Sequence, residues 1–257
     1  CTSMIIAMGI PHVVISTLDP NPQVAGNGVK ILRQHGIKVD VGILEHEGKR
    51  LLKKFNANLQ KRPFIILKII QSKDGFIGSL DGQVWLSNPF STLLSHKWRS
   101  EADGIMVGTK TVLVDDPTLT TRYWTGENPI RIVWDNQLIL KNNLNIFDNS
   151  AQTIVLNEKL DLIKNNISFV NIKGKTLTDV LEILYDHKIY SLIIEGGSAT
   201  IGSFYNAGLW NEARIITVPK SISKTHEKLI ESIAIRGHDI ESINLLGDHL
   251  QIIENAI

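Results

Sequence analysis

Three ionisable side chains stand out by their positions in the sequence. Lys68 interrupts the apolar run 64–70, Glu195 directly follows the apolar run Leu192–Ile194, and Asp115 lies in the polar loop 108–122. A charge withdrawn from water needs a partner or a chemical task, and proton transfer and the orientation of a polar substrate are two such tasks. For Lys68, an edge-strand position from which the ammonium group reaches solvent is the structural alternative.

Two glycines after Glu195 predict a site for a phosphate group. Gly196 and Gly197 connect the apolar run to a predicted helix that begins near Ser198 and continues to Ala207. Glycines let a ligand approach the backbone, and the free N–H groups of a helix N-terminus, here with Ser198 as the expected cap, attract anions. A strand-to-helix turn without a ligand explains a bare Gly-Gly equally well. The carboxylate at the carboxyl end of the strand favours the ligand site.

The loop Gly108–Arg122 concentrates polar side chains after another predicted strand. It carries the hydroxyl of Thr111, the carboxylate of Asp115 and a terminal arginine. Arg122 and Arg99 are candidates for binding phosphate, because a guanidinium group matches phosphate oxygens with paired hydrogen bonds. The alternatives are a helix-capping network for the loop and a surface ion pair for each arginine taken singly.

Composition limits the classes of function. The 257 residues include 27 Lys or Arg and 26 Asp or Glu, a net charge of +1, which argues against nucleic acid as the main partner. There is no apolar run of about 18 residues, so no membrane span is expected. The eight histidines are not at zinc-ligand spacing. The single cysteine, Cys1, excludes an internal disulfide and fits a reducing compartment, so we expect a cytoplasmic protein.

The order of predicted elements indicates an α/β fold in two parts. Residues 1–57 form a short α/β unit, 58–62 form a linker, and 63–257 form a larger α/β unit that ends in an antiparallel hairpin around Gly247-Asp248. The other predicted strands are 12–16, 39–43, 64–70, 104–108, 130–135, 153–156 and 214–218, and the other helices 2–8, 24–34, 45–55, 88–102, 109–114 and 178–187. The first residue is Cys1 rather than Met and the first unit has a thin core, so we expect a missing N-terminal part and a homo-oligomer.

Several motifs together resemble a known family. The first unit resembles the end of the deaminase domain of the bifunctional riboflavin-biosynthesis deaminase–reductase at Cys1-Thr-Ser-Met-Ile-Ile, Asp19-Pro-Asn-Pro22 and Gly26-Asn-Gly28. The second unit resembles its reductase domain at Lys68 with Ser72-Lys-Asp-Gly75, at Trp85, at Val112-Leu-Val-Asp-Asp-Pro-Thr-Leu-Thr-Thr-Arg122 and at Glu195-Gly-Gly. The resemblance covers essentially the whole chain, and Asp-Asp-Pro-x-Leu-Thr-x-Arg combined with Glu-Gly-Gly is its most specific part.

The resemblance implies a fold, a cofactor and a substrate. From about residue 60 onward it implies a dihydrofolate-reductase-like fold, preceded by the C-terminal remnant of a cytidine-deaminase-like α/β domain. It implies NADPH-dependent reduction of a phosphorylated pyrimidine, 5-amino-6-(5-phosphoribosylamino)uracil, to its ribityl product. The residues that it assigns to NADPH are Ile70, Trp85, Thr111, Asp115, Asn136, Gly197, Ser198, Ala199, Thr200, Ile201, Gly202 and Ser203. The residues that it assigns to the substrate are Gln83, Arg99, Leu119, Arg122 and Glu195.

The deaminase half matches its family less completely. The family's zinc site uses a histidine near a catalytic glutamate and two cysteines, of which only the second has a counterpart, Cys1. The chain as given is therefore not expected to deaminate a pyrimidine. An intact protein with bound Zn2+ is expected to do so.

Three residues are the catalytic candidates under this interpretation. Lys68 and Glu195 are expected to orient the imine and ribose hydroxyls, and Asp115 to place the nicotinamide or relay a proton. The second hypothesis is a related reductase of the same fold that acts on a pterin or another pyrimidine, which Arg99 and Arg122 disfavour because they suit a phosphorylated sugar. The third is a non-catalytic nucleotide-binding module.

Overall fold

The computed structural model describes residues 1–255. The chain separates into two units, Cys1–Lys61 and Arg62–Ile257, and each is described by itself. None of the described helices combines the length and the apolar composition that crossing a membrane requires.

The first unit contains one parallel pair of strands and four helices. Its elements are α1 Thr2–Ala7, β1 His12–Ile15, α2 Asn27–Gln34, β2 Lys38–Val41, α3 Glu45–Leu51 and α4 Lys53–Leu59. Strand β1 pairs with β2 in parallel, which confirms the predicted strand–helix–strand arrangement. A small core forms where Leu32 of α2 packs with Ile37 and Val39.

The main differences from the sequence prediction in this unit concern α2, α3 and α4. Helix α2 begins later than predicted, because Gly26, at φ 72°, adopts a left-handed conformation directly before it. The single helix predicted at 45–55 is two helices that meet at Leu52. The second of them continues to Leu59, where a linker was predicted, and it buries Ala57. The linker was predicted from polar composition alone. No glycine or proline interrupts residues 53–59, and the segment therefore continues as a helix.

The second unit is organised around a ten-stranded mixed sheet. The described part of this unit contains the strands β3 Phe64–Ser72, β4 Phe76–Ser79, β5 Gly104–Gly108, β6 Ile130–Trp134, β7 Thr153–Asn157, β8 Leu162–Lys164, β9 Ile167–Asn171, β10 Ser191–Ile194, β11 Glu212–Val218, β12 Leu229–Glu231, β13 His238–Leu245 and β14 Asp248–Glu254, and all but β4 and β12 belong to the large sheet. Its helices are α5 Pro89–Ser100, α6 Thr109–Asp115, α7 Leu177–Asp186 and α8 Ser198–Asn206, with a 3-10 turn at Asn145–Phe147. The strand order is β13-β14-β11-β3-β10-β5-β6-β7-β9-β8, and β4 pairs with β12 separately. The predicted C-terminal hairpin is confirmed.

The middle of this sheet brings distant parts of the sequence together. Strand β10 is buried at all four positions and pairs in parallel with β3 on one side and β5 on the other. Ile194 lies opposite Leu67 and Met106, so the next residue of each strand reaches the same edge. The pairing continues one step further, because the N–H of Glu195 donates to the carbonyl of Met106 at 2.9 Å. Glu195 and Lys68 are therefore neighbours at the carboxyl end of β10.

Helix α5 begins after its N-cap residue Asn88, which also joins the helix to the C-terminal hairpin. The Asn88 side chain accepts a hydrogen bond from the N–H of Ser91 at 2.9 Å and donates one to the carbonyl of Leu245 at 2.6 Å. The buried carboxylate of Asp248 accepts from the N–H of Asn88 at 3.0 Å and from the hydroxyl of Ser91 at 2.6 Å. These bonds fix where the helix starts and hence where its side chains lie.

Four short strands were missed by the sequence prediction: β4, β8, β9 and β12. Strand β8 is exposed at all three positions, and β9 is half-buried throughout, so neither shows the alternation that marks a strand in a sequence. Strands β4 and β12 are four and three residues long and lie far apart in the chain.

Replacing Asn88 with Ala should lower the free energy of unfolding by about 1–2 kcal/mol, because the helix loses its cap and the hairpin loses a hydrogen bond. Urea denaturation of the two proteins measures the difference. Asn143→Ala, at an exposed position, is the matched control and should change the value by less than about 0.5 kcal/mol. Equal effects of the two substitutions would show that the cap does not stabilise the unit.

Candidate active site

The carboxylate of Glu195 is held by two cations. Its Oε2 accepts a hydrogen bond from Nη2 of Arg99 at 2.8 Å and another from Nζ of Lys68 at 3.3 Å. Its Oε1 accepts from Nε of Arg99 at 3.1 Å, so the guanidinium binds the carboxylate with two hydrogen bonds. The exposed fractions of the Lys68, Glu195 and Arg99 side chains are 9%, 10% and 13%. The three residues form a buried ion cluster, which we call the Glu195 cluster.

Burial and the two cations act in opposite directions on Glu195. Burial alone would raise its pKa, but Arg99 and Lys68 outweigh burial and lower the pKa to about 2. For Lys68, burial lowers the pKa of the ammonium group, Glu195 raises it, and Arg99 lowers it further. Glu195 is therefore an ionised hydrogen-bond acceptor at neutral pH and not a proton donor.

The two glycines after Glu195 lead into helix α8 as predicted, but the predicted cap is wrong. Gly197 is the N-cap residue and supplies no side-chain hydrogen bond, while Ser198 is the first residue of the helix. The Ser198 hydroxyl donates to the carbonyl of Glu231 instead. The first helical hydrogen bond runs from the N–H of Ile201 to the carbonyl of Gly197, so the preceding three N–H groups have no helical partner.

This turn is tightly packed where it meets α6. The N–H of Gly197 donates to Oγ1 of Thr111 at 3.0 Å. A Cβ atom on Gly196 would lie 2.8 Å from Cβ of Thr200, and one on Gly108 would lie 2.6 Å from its Oγ1. Side chains larger than hydrogen do not fit at these two positions without movement of Thr200, so the backbones of both turns stay bare.

Asp115 lies at the end of α6 without a hydrogen-bond partner for its carboxylate among residues 1–255. Burial raises the pKa of this carboxyl group. Its neighbour Asp116 has a left-handed backbone, at φ 38°. Asn145 fixes Asp116 there, with its N–H 2.8 Å from Oδ1 and its Nδ2 2.9 Å from Oδ2. Asp116 and Asn145 thus set the position of Asp115, and Asp115 is free to meet a ligand.

Arg99 and Arg122 differ in what they can bind. Arg99 is committed to Glu195 and also lies 3.4 Å from the carbonyl of Thr120. Arg122 is exposed, and its Nη1 donates to the Thr120 hydroxyl at 3.2 Å, the one hydrogen bond of this side chain among residues 1–255. Its backbone N–H donates to Nδ1 of His96 at 3.0 Å. Arg122 is the better placed of the two to receive an anion.

These groups line one cleft of about 1380 Å³. The predicted site residues that line it are Lys68, Ile70, Gln83, Trp85, Arg99, Thr111, Asp115, Leu119, Arg122, Glu195, Gly197, Ser198, Ala199, Thr200, Ile201 and Ser203. Trp85 is 63% exposed at its rim, with the indole N–H donating to the carbonyl of Ser87 at 3.0 Å.

Three predicted site residues lie elsewhere. Asn136 does not line the cleft, and its Oδ1 accepts from Nε1 of Trp134 at 2.7 Å. Gly202 is buried inside α8, where a Cβ atom would lie 3.1 Å from Ile233. Cys1 belongs to the first unit and is an exposed free cysteine.

His96, Trp134 and Phe204 are among the lining residues that sequence reasoning did not single out. His96 stands three positions before Arg99 on α5, and that spacing places both on one helix face. The spacing was visible in the sequence, but an isolated histidine there is more often a packed residue. Trp134 and Phe204 meet edge to face, with ring centroids 6.5 Å apart, and they carry no sequence signal beyond their apolar character.

Residues 63–251 match the family model described as the RibD C-terminal domain, and the chain belongs to that family. The chain is therefore an oxidoreductase of riboflavin biosynthesis, with a dihydrofolate-reductase-like fold. The resemblance seen in the sequence is confirmed.

Individual relatives agree with the family. The riboflavin biosynthesis protein RibD of Aquifex aeolicus is 36% identical over 98% of this chain and 74% of its own length. RibD of Bacillus amyloliquefaciens is 31% identical over 88% of this chain and 64% of its own length. The Thermotoga maritima crystal structure of a diaminohydroxyphosphoribosylaminopyrimidine deaminase/5-amino-6-(5-phosphoribosylamino)uracil reductase covers 99% of this chain and 74% of its own, with 30% identity and a TM-score of 0.81. Yeast Rib7, at 19% identity and a TM-score of 0.63, is similar in fold.

Replacing Glu195 with Gln should lower the free energy of unfolding at neutral pH by about 3–5 kcal/mol, because it leaves two buried cations without a counter-charge. The folded-state pKa of Glu195 is about 2, below its ordinary value of 4.5, so its contribution is present above pH 4.5 and is lost as the pH falls towards about 2. Urea denaturation of both proteins at a series of pH values measures this. The difference between them should shrink across that window, and a constant difference would contradict the assigned ionisation.

Proposed function

We propose that the second unit uses NADPH to reduce 5-amino-6-(5-phosphoribosylamino)uracil to its ribityl product. The observation that carries this proposal is that the Glu195 cluster and the bare glycine turn of α8 face the same cleft. The glycine turn can receive the phosphate groups of a dinucleotide, and the Glu195 cluster can bind a polar sugar. A reductase that brings these two ligands together requires both features in one cleft. The Thermotoga protein that resembles this chain bears the name of this uracil reductase.

The residues at the start of α8 fit the phosphate groups of NADPH. Three N–H groups precede the first helical hydrogen bond, and the glycines at 196 and 197 present no side chain. The N-terminus of a helix of this length attracts anions through these N–H groups and the helix dipole. Thr111 fixes the turn through the N–H of Gly197, and Trp85 offers a flat apolar face at the rim. These contacts support Gly197–Ile201, Ser203, Thr111 and Trp85 as cofactor-binding residues, whereas Gly202 lies inside the helix away from the cleft.

Other residues of the cleft fit the phosphorylated sugar. Arg122 is exposed and its side chain makes one hydrogen bond within the described part of the chain, so its remaining N–H groups are available to a phosphate. Arg99 acts differently from the expectation that both arginines bind phosphate, because Glu195 already engages two of its nitrogens. Arg99 serves the substrate indirectly by orienting Glu195. Gln83 and Leu119 also line the cleft and complete the proposed substrate set.

The chemistry follows from the charges of the three catalytic candidates. NADPH, when bound, supplies the hydride. Glu195 accepts hydrogen bonds from ribose hydroxyls, since its pKa of about 2 keeps it ionised. Lys68 has two further N–H groups beyond the one that binds Glu195, and burial lowers its pKa, which suits it to orient and protonate the imine nitrogen. Asp115 has a raised pKa and no hydrogen-bond partner for its carboxylate among the described residues, and it stands one helical turn after Thr111, where it can position the nicotinamide or relay a proton.

The first unit has a different proposed origin. We propose that residues 1–57 are the C-terminal part of a deaminase domain, linked through 58–62 to the reductase domain at 63–257. The alignment with the Aquifex and Thermotoga proteins over nearly the whole chain supports this. The described residues contain no group of three or more His, Cys, Asp or Glu side chains placed to hold a metal ion, so they do not fit a zinc site. The exposed side chains of Met4, Met8 and Leu51 support self-association of this unit.

NADPH consumption with the phosphoribosylaminouracil substrate tests the proposal. The protein should oxidise NADPH when this substrate is added, and should not do so with a pterin or with an unphosphorylated pyrimidine at the same concentration. Thermal unfolding with NADPH alone should show a higher Tm, because a ligand that binds only the folded state stabilises it.

Each alternative hypothesis has its own outcome. NADPH oxidation with a pterin but not with the phosphoribosylaminouracil would identify a related reductase and contradict the proposed substrate. A raised Tm without turnover of any substrate would identify a nucleotide-binding module. No shift in Tm would contradict NADPH binding itself.

A further inference from the structure

His96 is a buried polar residue of the cleft to which neither the sequence analysis nor the proposed function gives a task. It lies on α5 three positions before Arg99, and the residue is 3% exposed. Its ring meets Tyr123 edge to face, with ring centroids 4.8 Å apart. A polar ring in this position is held in one orientation by its packing.

The hydrogen bond to Arg122 determines which nitrogen of His96 carries the proton. Nδ1 lies 3.0 Å from the backbone N–H of Arg122, and only an unprotonated ring nitrogen can accept that bond. Burial, and then the charges of Arg99 and Arg122, lower the pKa of His96 to about 4. The ring is therefore neutral at physiological pH, with its proton on Nε2.

The proton on Nε2 has no acceptor among residues 1–255, since the Arg122 bond is the one hydrogen bond of this side chain. The residue is 3% exposed, so this N–H has little access to water, and a ligand oxygen that accepts it adds a hydrogen bond on binding. The neighbouring cation is the exposed guanidinium of Arg122, which is tied to the same loop. The Arg122 guanidinium and the neutral Nε2–H of His96 belong to residues that are in contact, and this pair of donors suits the oxygens of a phosphate monoester.

Building on the proposed function, we propose that His96 is a substrate-binding residue: its Nε2–H donates to the 5-phosphate of the substrate while its Nδ1 holds Arg122 beside the same phosphate. The two residues then form one phosphate subsite, and Arg99 remains with Glu195.

Two substitutions separate the two nitrogens of the ring. In His96→Asn the side-chain oxygen can replace Nδ1 as the acceptor for Arg122, but no donor reaches the position of Nε2. In His96→Gln the longer side chain can place an N–H group near the position of Nε2. The expected result is a KM for the phosphorylated substrate and a Ki for inorganic phosphate, as a competitor of that substrate, that both rise about tenfold in His96→Asn, a size typical of losing a hydrogen bond to a charged group. His96→Gln should recover most of this loss.

The readouts distinguish substrate binding from a structural role. The KM for NADPH and the kcat at saturating substrate should stay within about twofold of the wild-type values, since a general disturbance of the cleft would change all of them. His187→Asn, at an exposed position of the same unit, is the matched control. An unchanged KM in His96→Asn, an equal rise in the KM for NADPH, or a His96→Gln variant as impaired as His96→Asn would each overturn the inference. Failure of the wild-type protein to turn over the substrate would instead overturn the proposed function.

Discussion

The ionised carboxylate of Glu195, buried between two cations, is the interaction on which the site depends. Taking a carboxylate, an ammonium and a guanidinium group out of water is costly, and the cost is offset only when the charges meet in good geometry. Here Arg99 binds both carboxylate oxygens, and Lys68 adds a third hydrogen bond to Oε2. These bonds hold the three side chains in place. The cleft is therefore lined by a hydrogen-bond acceptor, the Glu195 carboxylate, and a donor, the Lys68 ammonium group, that are oriented before a ligand binds.

The fold brings the three residues of the Glu195 cluster together from distant parts of the chain. Lys68 and Glu195 are 127 positions apart in the chain, and Arg99 and Glu195 are 96 apart. They meet because β10 lies between β3 and β5, and because the Asn88 cap and Asp248 set the start of α5. The same edge of the sheet carries the turn into α8, so cofactor and substrate sites share one support. This is the region of an open α/β sheet where ligands are generally bound.

The sequence predicted the chemistry of single residues better than their partners. Lys68 and Glu195 stood out because charges interrupt or end apolar strands, and the glycines after Glu195 marked the turn. The use of Arg99 as a ligand of Glu195 could not be predicted, since it depends on the crossover that places α5 against the sheet. The spacing of His96 to Arg99 was visible, but the tautomer of His96 could not be predicted because it depends on one backbone N–H of a distant loop. Long buried strands were predicted well, while the short exposed β8 was missed for lack of an apolar pattern.

Hydride transfer in a single turnover tests the role of Glu195 most directly. NADPH-saturated enzyme is mixed with the phosphoribosylaminouracil substrate, and the wild-type protein is compared with Glu195→Gln and with Glu127→Gln, an exposed control. Loss of a positioned charged group should slow the transfer by about 100-fold in Glu195→Gln, with NADPH affinity unchanged and the control at the wild-type rate. A wild-type rate of transfer in Glu195→Gln would contradict the central place given to this carboxylate.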